Sequence, residues 1–138
     1  MLPLPAVLLV DDDPTTNFIN TRLLKRLQVS NEILVALDGQ QALDVLHTHC
    51  ANGGSTCPSL VLLDVNMPVM NGFEFLEAFM QRPPSSKSMV IVLLTSSQLD
   101  EDLVRAQHLP VADFLNKPLT REKISEVLDR YFDHPLPN

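Results

Sequence analysis

The sequence predicts an α/β domain built on a five-stranded parallel sheet wound with helices on both faces. Three observations carry this. Short, nearly unbroken apolar runs recur along the chain, at Val7-Leu8-Leu9-Val10, Leu60-Val61-Leu62-Leu63, Val90-Ile91-Val92-Leu93-Leu94 and Val111-Ala112-Asp113-Phe114-Leu115; such runs suit strands buried on both faces. Helix-period segments separate them, and a repeated β-then-α alternation implies a parallel sheet between helical layers. The runs also stop at polar residues: Asp11-Asp12-Asp13, Asp64, Thr95 and Lys117. In a parallel sheet the carboxyl ends of the strands share one edge, where ligands bind, so these side chains are expected to gather into a site.

The elements follow in order. The first strand is about Ala6–Val10. Pro14 suits the first turn of the next helix, which places Phe18, Ile19, Leu23, Leu24 and Leu27 at helical spacing. The second strand is about Glu32–Ala36, and Asp38 with Gln41 resembles a capping pair. That second helix carries Ala42, Leu43, Val45 and Leu46 on its apolar face. His47 to Ser59, rich in Gly, Ser and Thr, is expected to be a flexible loop. Leu60–Leu63 is the third strand; Val65–Asn71 is a turn, and Gly72 opens a helix with Phe73, Phe75, Leu76, Phe79 and Met80. Pro83-Pro84-Ser85-Ser86 is a connector before the fourth strand, Met89–Leu94. Ser97 and Asp100 have capping-box spacing and start a fourth helix. The fifth strand is Val111–Leu115. Thr120 caps a fifth helix with Ile124, Val127, Leu128, Tyr131 and Phe132, and His134–Asn138 is a frayed tail.

The bulk properties narrow the function. A chain of 138 residues suits a single domain, 1–138, with its core in about 6–133. No apolar run approaches the roughly 20 residues of a membrane span, and the start lacks the positive region of a secretory signal, so a cytoplasmic protein is expected. A formal net charge of −7 opposes direct nucleic-acid binding. Cys50 and Cys57 are the two cysteines, and thiols in that compartment are normally reduced. With His47 and His49 they have the right chemistry for zinc, but their spacing fits no standard module. A surface loop with reduced thiols is the favoured reading.

Leu8-Leu9-Val10-Asp11-Asp12-Asp13, Leu62-Leu63-Asp64-Val65-Asn66-Met67-Pro68 followed by Asn71-Gly72, Leu94-Thr95-Ser96 and Phe114-Leu115-Asn116-Lys117-Pro118 together resemble the receiver domain of two-component response regulators. The likeness spans about Val7 to Phe132. It implies the flavodoxin-like strand order 2-1-3-4-5, which sets the two acidic strands side by side at the switch point. It also implies a phosphoryl group moving onto a carboxylate, chemistry that rests on positioning and charge neutralisation. Asp64, alone at its strand end, is assigned as the phosphoacceptor. Asp11, Asp12, Asp64 and the backbone carbonyl of Asn66 are assigned to magnesium, a hard cation that prefers oxygen ligands. Asp13 falls outside that shell, as a cap of the first helix.

Lys117 then supplies a fixed positive charge and Thr95 a hydroxyl donor, and the Lys117–Pro118 bond resembles the family's cis peptide. The resemblance further implies a switch in which Thr95 moves toward the phosphoryl group and Phe114 follows, reshaping the face of the fourth helix, fifth strand and fifth helix. The expected phosphodonor is a sensor histidine kinase or a histidine phosphotransfer protein, docking against the first helix and the loop after the fifth strand. Output is expected through a protein target or onward phosphotransfer, from a monomer or weak homodimer. Beyond its own phosphorylation and dephosphorylation, no enzymatic activity is expected.

Two rivals compete. A haloacid-dehalogenase-like phosphatase would use Asp11 as nucleophile and Asp13 as acid/base, with Thr95 and Lys117 in its next two roles. It needs a later strand-end acidic pair, whereas Asp129 and Asp133 fall on the last helix, and it leaves Asp64 without a task. A pseudo-receiver that binds partners without accepting phosphate usually lacks one of the acids or the lysine, and here all are present.

Overall fold

In the computed structural model, residues 3–50, 56–65, 67, 69–81, 89–95 and 109–133 are described. The strands are β1 (Val7–Val10), β2 (Ile33–Ala36), β3 (Leu60–Asp64), β4 (Val90–Thr95) and β5 (Asp113–Asn116). They form one parallel sheet, as the sequence pattern predicts, in the order β2-β1-β3-β4-β5 that the family resemblance implied. Among the described residues there are four helices: α1 (Pro14–Arg26), α2 (Gly39–Cys50), α3 (Gly72–Met80) and α4 (Arg121–Phe132). None is long and apolar enough to cross a membrane. The helix expected from Ser97, the Pro83–Ser86 connector and the tail from His134 lie outside the described residues.

Successive strand side chains point to opposite faces, so each apolar run feeds two cores. Val7 and Leu9, Leu60 and Leu62, and Val92 and Leu94 pack with Leu24 of α1 and Ile124, Val127 and Leu128 of α4. Leu8 and Val10, Val61 and Leu63, and Ile91 and Leu93 pack with Ala42 and Leu46 of α2 and Phe73, Phe75 and Leu76 of α3. This double burial is why the central strands read as continuous rather than alternating hydrophobics.

The helix starts are specified locally. Asp13 caps α1, its carboxylate accepting from the Thr15 amide. The Asp38 side chain accepts from the Gln41 amide at 2.8 Å, while the Gln41 side chain reaches back to the Leu37 amide. Asn71 and Glu74 close a reciprocal capping box on α3, and Thr120 caps α4.

Three expectations need correction. Phe18 and Ile19 do not face the core: each is 58% exposed, and α1 turns Asn17, Asn20 and Leu24 inward instead. The buried amide of Asn17 satisfies a main-chain acceptor, its Nδ2 donating to the Asp11 carbonyl at 2.9 Å, so a polar residue occupies a place that periodicity alone gives to an apolar one.

The loop expected over His47–Ser59 begins too early. α2 runs through Cys50, because His47-Thr48-His49-Cys50 contains no helix breaker and imidazoles suit a helix C-terminus. The thiols are not reduced: Cys50 and Cys57 form a disulfide with an S–S distance of 2.03 Å. The crossover explains the pairing, since α2 returns the chain to the sheet edge where β3 begins, setting its last residue beside the segment that enters the strand. Both sulfurs are thereby committed, and the His49 ring bonds Thr56 Oγ1 at 2.7 Å, so the zinc alternative is not realised.

Candidate phosphoacceptor site

β1 and β3 are direct neighbours, with Val10 opposite Leu63. The residues that follow each strand pairing, Asp11 and Asp64, therefore emerge side by side at the carboxyl edge. Asp11 and Asp64 are buried, at 4% and 5% exposure, whereas Asp12 is exposed. One carboxylate oxygen from each of Asp11, Asp12 and Asp64 lies within 4.8 Å of the other two. β4 pairs with β3 on the other side and ends in buried Thr95, which is in register with Asn116 of β5.

Lys117 follows β5 and bends back over the edge. Its amide donates to the Thr95 carbonyl at 2.9 Å. Its ammonium lies 2.9 Å from Asp11 Oδ2 and 3.2 Å from Asp64 Oδ1. Burial pushes the Lys117 ammonium toward lower pKa, but hydrogen bonding and charge from Asp11 and Asp64 outweigh it and raise the group above its ordinary value. Lys117 is thus a fixed cation at neutral pH. The Lys117–Pro118 peptide is cis, as the resemblance implied.

Further residues hold the frame. Lys123 of α4 donates to the carbonyls of Asn116 and Pro118, at 2.6 and 2.9 Å, and so ties down the loop that carries Lys117. The Asp11 carboxylate accepts from the Asp13 amide at 3.0 Å. Asp13 turns away to its cap, and the Thr16 hydroxyl and Thr15 amide it accepts from hold its carboxyl below the ordinary value. Gly72 is required by proximity: a Cβ there would lie 2.7 Å from the Asp64 carbonyl oxygen. Lys123 went unread in the sequence because a helical lysine looks like solvated surface; its spacing from Asn116 and Pro118 carries no signal until the loop bends.

The structure therefore brings together Asp11, Asp12, Asp64 and Lys117 and sets Thr95 at the adjacent strand end. Phe114 is half-buried against the α2–α3 core layer. Asn66 lies outside the described residues. Among the described residues, the arrangement is an acidic cluster with the Lys117 ammonium built into it at the carboxyl edge of a parallel sheet.

The family model of the response regulator receiver domain matches residues 7–129. The chain belongs to the response regulator receiver family. It is 34% identical over 130 residues to a probable methanogenesis regulatory protein, FilR2, of Methanothrix harundinacea, covering 94% of this chain and 83% of that protein. It is 33% identical over 127 residues to a probable chemotaxis protein CheY of Rhizobium etli, covering 91% of each. Among solved structures, a two-component response regulator from Cytophaga hutchinsonii is similar with a TM-score of 0.82 at 30% identity, over 94% of this chain and 97% of that one. Other relatives are named as sensor or hybrid histidine kinases that contain a matching segment. This is a receiver domain of two-component signalling. Neither the phosphatase nor the pseudo-receiver reading gains support from these relatives.

Proposed function

We propose that this receiver accepts a phosphoryl group on Asp64 from the phosphohistidine of a sensor kinase or phosphotransfer protein. The observation that carries the reading is the Lys117 ammonium held between Asp11 and Asp64 in a three-carboxylate pocket. An Asp64 carboxylate oxygen attacks phosphorus, the P–N bond breaks, and the departing imidazole takes a proton from solvent. Lys117 and the Thr95 hydroxyl orient and neutralise the phosphoryl oxygens.

Three carboxylates against one ammonium leave two negative charges uncompensated, which suits a divalent cation with oxygen ligands. Asp11, Asp12, Asp64 and the Asn66 carbonyl would hold magnesium. When bound, the ion neutralises the carboxylates and the incoming phosphoryl oxygens. Beyond this self-phosphorylation and its reversal, we assign the chain no enzymatic activity.

Thr95 and Phe114 are assigned as the switch. Leu93 and Thr95 share one face of β4, and Phe114, opposite Leu93, packs into the same layer. A Thr95 hydroxyl drawn toward the phosphoryl group vacates space on the side where Phe114 lies. Exposed Phe18 and Ile19 of α1, beside Leu119, form the face assigned to the phosphodonor, with both partners in the cytoplasm.

Acetyl phosphate with magnesium, followed by intact mass, tests the reading. The parent chain should gain one phosphoryl group and Asp64→Asn none. A variant that still gains it at an unchanged rate refutes the assignment. The phosphatase alternative predicts the reverse pattern, with Asp11→Asn silent and Asp64→Asn active.

A further inference from the structure

We propose that Cys50–Cys57 is a reversible redox-modification site, read by a protein dithiol and transmitted along α2 to the loop beside Asp64. The proposal rests on the phosphoacceptor reading only for its final consequence. Disulfides in reducing compartments, when present, are usually transient or sensing rather than structural. This one joins the last residue of α2 to the segment entering β3.

α2 is tethered at both ends. At its C-terminal end the bond anchors Cys50 to Cys57, which is 2% exposed. At its N-terminal end the Gly39 amide donates to the Met70 carbonyl at 2.9 Å. A Cβ on Gly39 would lie 2.7 Å from Met70 Cγ, so the helix start and the β3–α3 loop are in direct contact. That loop follows Asp64 and leads into the Asn71 cap of α3. Between the tethers only Ala42 and Leu46 of the α2 side chains beyond Gly39 are fully buried. Releasing one end of such a helix favours its opening as a unit.

The chemistry balances. A partner thiolate attacks Sγ of Cys50, the half-buried residue of the pair. The S–S bond breaks and Cys57 leaves as a thiolate, which is protonated. The partner's second thiol attacks the mixed disulfide and frees Cys50, which is protonated in turn. The receiver gains two electrons and two protons, and the partner dithiol becomes a disulfide.

The test compares air-oxidised and dithiothreitol-reduced protein, with no phosphodonor present, by amide hydrogen exchange resolved by NMR. Thiol alkylation before and after reduction first establishes the bond. Reduction should speed exchange at Gly39 and through α2 about tenfold, with the amides of α1 unchanged. Cys50→Ser should reproduce the reduced pattern and lose its response to dithiothreitol. Thiols that alkylate fully before reduction overturn the proposal. So do unchanged α2 amides, or a rise equal in α1 and α2, which marks a merely global staple. Magnesium and acetyl phosphate are added last, and the phosphorylation rates of the two forms should differ about threefold; equal rates overturn the link to the site. If neither form is phosphorylated while α2 responds, the phosphoacceptor assignment fails and the redox site stands.

Discussion

Replacing Gly72 by alanine isolates the packing that sets Asp64. The new methyl carbon would sit 2.7 Å from the Asp64 carbonyl oxygen, 3.1 Å from Val65 Cα and 3.4 Å from the Asp64 carbonyl carbon. An ordinary carbon–oxygen contact is about 3.3–3.6 Å, so the backbone must separate by roughly 0.6 Å. All three neighbours are main-chain atoms, and the Gly72 amide is itself bonded to the Val65 carbonyl at 3.0 Å, so no side chain is available to swing aside. Overpacking of this kind costs about 1–3 kcal/mol. Removing a helical glycine returns up to about 1 kcal/mol, and less at a first-turn position. The net is a loss of about 1–2 kcal/mol, read as a urea midpoint lowered by about 0.5–1 M with an unchanged slope. The displaced carbonyl belongs to Asp64, the proposed phosphoacceptor, so acetyl-phosphate labelling should slow as well. A variant as stable as the parent, labelled at the parent rate, refutes the steric argument.

Asn71→Ala removes the capping box of α3 and should cost about 1 kcal/mol in urea unfolding, with the Asn71→Ser variant recovering most of it. Magnesium at about a hundred times its dissociation constant should stabilise the parent by about 2.7 kcal/mol; the thermal midpoint of Asp12→Asn should respond far less. The raised Lys117 ammonium fixes an alkaline limb: its pairing with Asp11 and Asp64 is fully present below the ordinary value of 10.5 and is lost as pH climbs through the higher folded value. From neutrality upward, the stability difference between the parent and Lys117→Gln should thus be flat up to that point and shrink above it, and a difference that already shrinks just above neutrality would contradict the assignment.

The carboxyl edge was legible because strands of a parallel sheet covered on both faces are largely apolar, so their ends announce themselves by the polar residues that follow the run. Asp11, Asp64, Thr95 and Lys117 were found that way, and family likeness supplied their order in space. What the sequence hid was non-local. Helical periodicity gave α1 an apolar stripe but not which residues turn toward the sheet; the bond from Asn17 to the Asp11 carbonyl decided that, leaving Phe18 and Ile19 outside. The Cys50–Cys57 pair depends on where a crossover helix ends relative to the next strand, a distance that spacing along the chain does not encode. The Lys123 clamp likewise appears only once the Lys117–Pro118 loop has bent toward α4.

The electrostatics of the pocket bear on how the proposed phosphorylation would be felt at a distance. Lys117 now divides its ammonium between Asp11 and Asp64, while Lys117 Nζ and the Thr95 carbonyl are linked through one residue's backbone and side chain. A phosphoryl group adds about −1.5 to −2 charge on Asp64. That charge competes for the same ammonium with oxygens that extend farther from β3 than the carboxylate they cap. Any shift of Lys117 toward them weakens its hold on Asp11 and pulls on the end of β4, where Thr95 lies, and on β5, where Phe114 lies. The loop itself cannot follow freely, because Lys123 fixes the carbonyls on either side of Lys117. Movement should therefore be directed into side chains rather than into the loop. Lys123→Ala removes that restraint. In beryllofluoride-loaded protein it should enlarge the amide shifts at Asn116 and Leu119 while reducing those at Phe114. Identical shift patterns in parent and variant would refute the clamp as the element that routes the signal.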